Sequence, residues 1–276
     1  YDDNIRKIDN KEYYTVEINE LESFLKETTK RLADRGYPFN KIKLINIKEI
    51  DNSSISANLN VDLGEKRTLD KIKIKGYEKF PKSFTKQYLK LLTEETFDFE
   101  KIKEKSKKIN NLRFVRQTKD PEVLFKKDST ITYLFIEKTE NNSFDGFIGF
   151  ATNEESNKLE LNGYVNLKLS NTLNYGEEIT LDYKSTDNED KFFKTNIIAP
   201  FVLQSPLGLE LSLNLTKKDT SYTKDEQSIG VNYLTKNKHG ISLHLSYLNS
   251  VSNLTIVNQS IKDYNSKFQK IRYSYL

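Results

Sequence analysis

His239 and His244 are the two histidines of a 276-residue chain whose lack of cysteine excludes disulfides, thiolate zinc sites and thiol nucleophiles. Ser242, His244 and Ser246 alternate along one run. A serine and histidine there would still need a buried carboxylate to orient the imidazole and donors for an oxyanion. Nothing nearby supplies either, and no catalytic triad is expected. Carboxylate pairs stand at Glu94-Glu95, Glu154-Glu155 and Glu177-Glu178. Adjacent residues on a strand point to opposite faces, so the three pairs are expected to be solvated rather than to bind metal or act as acid and base. Residues 187–190 (DNED) carry oxygen ligands but lack the glycine and distal glutamate of an EF-hand, and a polar hairpin accounts for them. The run Lys101, Lys103, Lys105, Lys107 and Lys108 would spread over a helix surface opposite Ile102, Ile109 and Leu112. A solvated face is the favoured reading, contact with anionic headgroups or acidic clients the lesser one. No glycine loop cradles phosphate. No enzyme activity, metal or cofactor is expected.

The elements that carry these residues fall into two halves. The first 142 residues hold 30 of the 44 Lys+Arg and 25 of the 40 Asp+Glu, and the patterning changes at the same place. The formal net charge is only +4, which does not suggest nucleic acid as a partner. Opening on Tyr1 with no methionine, the chain reads as a processed or truncated product. Upstream, Leu21, Phe24, Leu25, Thr28 and Leu32 recur at helical spacing, with Asn19 and Glu22 in capping-box positions and Gly36 past the end. Strands are expected at 42–50 and 55–63, joined by a turn at 51–54. A second round follows, with a strand at 69–77, helices at 84–92 and 99–112, a short strand at 113–118 and another at 130–138. Both rounds have β-α-α-β-β character, although a first strand is poorly defined within residues 1–18. The expected domains are 1–66, 67–140 and 143–276.

Downstream, alternation dominates. In 159–169 (LELNGYVNLKL) every odd position is apolar or glycine, and the same two-residue period recurs around Ile179, Leu209, Ile229, Ile241 and Ile271. With 144–151 and 192–200 this makes about eight strands, several near the ~9 to 11 residues that suit a tilted strand crossing a bilayer. No stretch reaches the ~18 apolar residues of a membrane-spanning helix. A soluble β-sandwich also alternates, but its strands average about 5 to 6 residues, and the runs at 159–169 and 207–215 are about twice that. Glu160, Lys168, Glu178, Asp182, Lys184 and Glu210 on the even face would suit a water-filled lumen. The expected architecture is therefore α+β modules followed by an antiparallel transmembrane barrel.

Several short segments carry a resemblance. Arg35-Gly36-Tyr37-Pro38-Phe39 resembles the "GYPF" turn after the helix of a polypeptide-transport-associated (POTRA) module. Ile72-Lys73-Ile74-Lys75-Gly76-Tyr77 resembles the strand that opens the next module, and Asn111-Leu112-Arg113-Phe114-Val115 the step into its second strand. Residues 200–208 (PFVLQSPLG) are similar to a strand-turn-strand found early in the barrels of the BamA/TamA superfamily. The matches run from about residue 21 to 215. Two departures stand against them. Such barrels close with about sixteen strands against the eight counted here, and the R-G-F/Y loop motif is not found after Ser143. The chain thus reads as a fragment or as a smaller closed barrel, and the break in mid-alternation over 271–276 favours truncation.

The resemblance implies the outer membrane of a diderm bacterium, POTRA modules in the periplasm, and a role in inserting or moving other proteins. The implied partners are outer-membrane lipid, unfolded outer-membrane or secreted clients, and periplasmic or lipoprotein accessory subunits. In such modules the second strand usually lies at a sheet edge, where a client adds as a further strand. That edge maps to Lys41, Ile42, Lys43, Leu44, Ile45, Asn46 and Ile47 in the first module. In the second it maps to Arg113, Phe114, Val115 and Arg116. The first barrel strand would form a seam, with Phe144, Gly146, Phe147 and Gly149 at an edge that opens. A two-partner-secretion-like translocator pore is the runner-up, and a soluble β-rich binding protein the alternative of another class.

Overall fold

The computed structural model describes residues 5–8, 11–152, 159–186, 190–218, 221–234, 239–253 and 263–275. The chain forms two compact units. The first comprises Tyr1–Lys75, Leu92–Lys107 and Lys119–Phe135, the second Gly76–Leu91, Lys108–Thr118 and Ile136–Leu276.

The first unit opens with a two-stranded sheet, β1 (Ile5–Ile8) and β2 (Lys11–Tyr14), followed by helix α1 (Leu21–Asp34). The expected capping box is not formed. A turn closed by the Glu20 amide on the Glu17 carbonyl moves the N-cap to Glu20, which makes no side-chain cap, and Glu22 instead meets Lys26 at 2.6 Å. The other end behaves as the glycine foretells. The Tyr37 and Gly36 amides bond back to Leu32 and Ala33, with Gly36 at φ +98°, which is a Schellman motif. Asn40 then pins the exit by donating from Nδ2 to Thr29 (3.0 Å) and Tyr37 (2.7 Å) carbonyls. This stop leads directly into the hairpin β3 (Lys41–Asp51) and β4 (Ser54–Asp62), a separate two-stranded sheet. The first module therefore has one helix, not two, because only the capped turn separates α1 from β3.

The second module departs further from expectation. Strand β5 (Lys71–Gly76) forms, but the helix foreseen at 84–92 is a single π-helical turn, Phe84–Tyr88. The Leu89 amide bonds to the Phe84 carbonyl, and Lys90 at φ +54° turns Leu91 into the core, which ends the helix. Asp98 caps α2 (Phe99–Lys107) through the Lys101 amide, and a 3-10 turn, Lys108–Asn111, replaces its last residues. Strand β6 runs Val115–Lys126, twice the expected length and straight through Pro121. Proline is tolerated there because β6 is an edge: the three-stranded order is β5-β7-β6, with β7 (Ser129–Lys138) in the centre.

The second unit carries eight antiparallel strands in strict sequence order, β8 (Ser143–Thr152), β9 (Leu159–Ser170), β10 (Glu178–Ser185), β11 (Lys191–Ala199), β12 (Leu207–Lys218), β13 (Tyr222–Leu234), β14 (His239–Ser252) and β15 (Tyr264–Tyr275). This matches the eight runs read from the alternation. The sheet is open: β8 and β15 are its two edges, and no closed barrel forms among the described residues.

Candidate functional site

The antiparallel register sorts side chains into two faces, because directly opposed residues share a face. One row runs Leu169, Ile179, Ile197, Leu211, Ile229, Leu245, and a neighbouring one Ala199, Leu209, Val231, Leu243, Ile271. Ile197, Leu211, Ile229, Val231, Leu243 and Leu245 are exposed, so this apolar face is uncovered across β11 to β14 among the described residues. A patch of this extent marks an interaction surface. The opposite face is polar. A hollow of about 470 Å³ there is lined by Lys168, Asp182, Lys194 and Glu210 among others, and Lys168 Nζ lies 3.6 Å from Glu178. His244 belongs to the same face. Its ring overlies Gly230, where a Cβ would collide with it, and Nε2 stands 3.8 Å from Glu210. Ser246 bonds to Ser228 at 3.0 Å instead of to His244. Glu210 and His244 are thus neighbours without serine, while the His239 side chain, Glu154-Glu155 and residues 187–189 lie outside the described residues. Among the described residues no cluster of three His, Asp or Glu could hold a metal, and no helix is long and apolar enough to cross a membrane.

The edge residues are dispersed differently from expectation. Lys41 to Ile47 lie on β3, whose second edge pairs with no strand among the described residues, and Ile45 and Ile47 are exposed. A bulge interrupts the strand between Ile45 and Lys48, with Asn46 at φ +55°, and bulges twist an edge away from flat pairing. Arg113 and Phe114 precede β6 rather than forming it, since the chain reaches the strand only after the 3-10 turn. Phe114 is 5% exposed, against Phe80 and Phe84, and Val115 is buried with it. Arg116 is exposed but engaged, its guanidinium donating to Glu137 at 2.8 and 3.0 Å. The amide of Gln117 is taken by the Asn110 side chain at 2.8 Å. On β8, Phe144, Phe147 and Phe150 are exposed. A Cβ on Gly146 would sit 2.8 Å from the Tyr164 carbonyl, so the backbones touch there, whereas Gly149 has room.

The sequence hid a junction in the second unit. Phe84, 3% exposed, fills a notch at Gly176 (φ +76°) and meets the Phe201 ring edge-on at 5.0 Å. Tyr77 joins the turn between β9 and β10 by its hydroxyl, which donates to Asn174 (2.5 Å) and accepts from Asn171 (2.8 Å). Burial raises the Tyr77 pKa, only partly offset by the Asn171 bond. Glu177, expected to be solvated, is 5% exposed and accepts the Leu173 (2.6 Å) and Tyr175 (3.0 Å) amides. The lysine run is only partly solvated: Lys101, Lys107 and Lys108 are exposed, whereas Lys105, its side chain 15% exposed, approaches Glu95 at 3.8 Å and half-covered Lys103 meets Asp120 at 2.7 Å.

No protein-family model and no curated protein matches the sequence. The structure is similar to that of BamA from Haemophilus ducreyi lacking POTRA domains 1–3, with a TM-score of 0.59 at 13% identity, over 94% of this chain and 52% of that one. Weaker likenesses are CdiB from Escherichia coli (TM-score 0.45, 15% identity, 94% of this chain and 50% of that) and CdiB from Acinetobacter baumannii (0.49, 12%, 93% and 50%). The chain spans about half the length of the structures it matches, and at these identities the likeness is one of fold.

Proposed function

We propose that this chain takes part in outer-membrane protein assembly, receiving unfolded β-strand clients at exposed strand edges and passing them to a bilayer-embedded sheet. The carrying observation is an eight-stranded sheet with an exposed apolar face, which ends in an edge strand, β8, paired to β9 on one side and to no strand on the other among the described residues. An apolar face without a protein cover suits hydrocarbon. An unpaired edge suits a client whose affinity comes from main-chain hydrogen bonds and needs no particular sequence. The resemblance of the "GYPF" and PFVLQSPLG segments to BamA-type proteins and the fold likeness to BamA support this reading. In it, residues 1–66 and 67–140 are periplasmic modules offering the β3 and β6 edges, residues 143–276 lie in the outer membrane of a diderm bacterium, and lipid, unfolded clients and accessory subunits are the partners.

The test uses proteoliposomes of the protein and a urea-unfolded β-barrel client. Insertion is expected to be faster than into empty liposomes, and a client cysteine should crosslink to Gly149→Cys, a position with space for the side chain. Insertion at the empty-liposome rate, together with conductance that depends on one dedicated client, would replace assembly with translocation through a pore.

A further inference from the structure

We propose that the turns joining β9 to β10 and β11 to β12 carry an apolar wedge, Leu173, Tyr175 and Leu203, that seats in the interfacial zone of an anionic bilayer, with Lys82 and Lys86 placed for lipid phosphates. The inference rests on the membrane reading of the sheet above.

A lone exposed leucine is ordinary; this set is not. Leu203 is 95% exposed, and Leu173 and Tyr175 also stand clear of the protein. Phe201, Leu203 and Gln204 all hold positive φ, at 54°, 53° and 59°, in a region that bulky side chains avoid. Such a conformation persists only where the surroundings impose it, and here they do. The Gln204 amide bonds to Phe201, the Ser205 amide and hydroxyl both bond to Val202, and Gln87 donates to the Gln204 carbonyl at 2.8 Å. The turn thereby divides its two large apolar residues. Phe201 goes inward against Phe84, and Leu203 goes out. The neighbouring turn does the same by other means, with buried Glu177 fixing the Leu173 and Tyr175 amides while their side chains face outward. Both turns touch Phe84, at Gly176 and Phe201, which makes them neighbours.

What meets this wedge is indicated by what adjoins it. The strands flanking the second turn present exposed Ile197, Leu207 and Leu211, so exposed apolar residues of the sheet stand close to the turn in the chain. Tyrosine, apolar in body and polar at its tip, suits the headgroup level. Lys82 and Lys86 are exposed on the segment whose Gln87 holds the turn, where long cationic side chains reach phosphates while their stems lie along apolar surface. A protein partner would not need the apolar tip to stand so close in the chain to a lipid-facing stripe.

The chain contains no tryptophan, so one introduced indole reports alone. Leu203→Trp and, separately, Ile229→Trp are placed in the full chain and reconstituted in phosphatidylethanolamine and phosphatidylglycerol vesicles brominated at shallow or deep acyl positions. The wedge predicts blue-shifted Leu203→Trp emission quenched most by shallow bromines, with Ile229→Trp quenched most by deep ones. Water-like, unquenched Leu203→Trp beside a deep-quenched Ile229→Trp overturns the wedge and leaves the membrane sheet standing. Failure of both indoles to quench removes both. A blue-shifted Leu203→Trp that no bromine quenches means that protein covers the site, and also overturns the proposal. Lys82→Glu with Lys86→Glu should reduce shallow quenching in anionic vesicles but not in neutral ones; equal quenching in both removes the phosphate contacts.

Discussion

At the scale of single residues, Phe84 and Gly176 form a matched pair 92 positions apart, the ring occupying the space that a Cβ would need. Gly176→Ala adds a methyl group against that ring at φ +76° and is expected to loosen the turn, with faster amide exchange at Leu173 and Tyr175. Phe84→Ala removes a buried aromatic, a change that typically costs about 3–5 kcal/mol. Because it also vacates the notch, Gly176→Ala should cost less in the Phe84→Ala background than alone. Additive effects on exchange would show that the two do not share the space. Asp34 gives a pH-dependent case. Burial first, then repulsion from Asp98, raises its pKa, with Lys30 opposing. A carboxyl whose folded pKa lies above its unfolded value favours folding while protonated, and that contribution is lost as pH rises through the folded pKa. Asp34→Asn is therefore expected to raise the urea midpoint at pH 7 and leave it unchanged near pH 3. A gain of equal size at both pH values would refute the assignment.

At the scale of elements, the two strand edges are unequal. The entry of β6 is occupied by its own chain, through Asn110 on the Gln117 amide and Arg116 on Glu137. Strand β3 keeps an edge with no strand partner among the described residues up to the bulge at Asn46. In a chain free of cysteine, Lys43→Cys should crosslink to a client cysteine in several-fold higher yield than Thr118→Cys, and Asn110→Ala should raise the yield at 118. Equal yields, unmoved by Asn110→Ala, would mean that the side chain guards nothing. What could be read in advance follows the range of the forces. Period-two alternation is local, so β9 and β12 were legible to within a few residues, and Gly36 announced the end of α1. The length of β6 was not, because Pro121 breaks a pattern that only its edge position permits. The π-helical turn depends on Lys90 turning back, and Glu177 looked solvated because its amide partners lie within a turn whose shape is set elsewhere. The junction was least legible of all, since Gln87 meets Gln204 across 117 positions.

At the scale of the whole molecule, everything turns on what the apolar face of the sheet meets. Leu211 and Asn214 share β12 but face opposite sides, and both are exposed, so neither substitution must open a packed core. If the Leu211 side faces hydrocarbon, Leu211→Lys carries a cation into the bilayer, at a cost of about 2–4 kcal/mol near the midplane and less toward the interface. Asn214→Lys adds the same charge to the polar face and should cost little. Folding free energies measured by urea titration in phosphatidylcholine vesicles should then separate the two variants by more than about 1.4 kcal/mol, a tenfold change in the folded ratio. Inside a soluble sandwich the leucine would pack against a second sheet, and the wild-type chain would stay monodisperse in buffer without detergent. Variants of equal stability, combined with a chain that needs no lipid or detergent, would therefore assign the oily face to protein and withdraw the membrane role, along with the assembly function built on it.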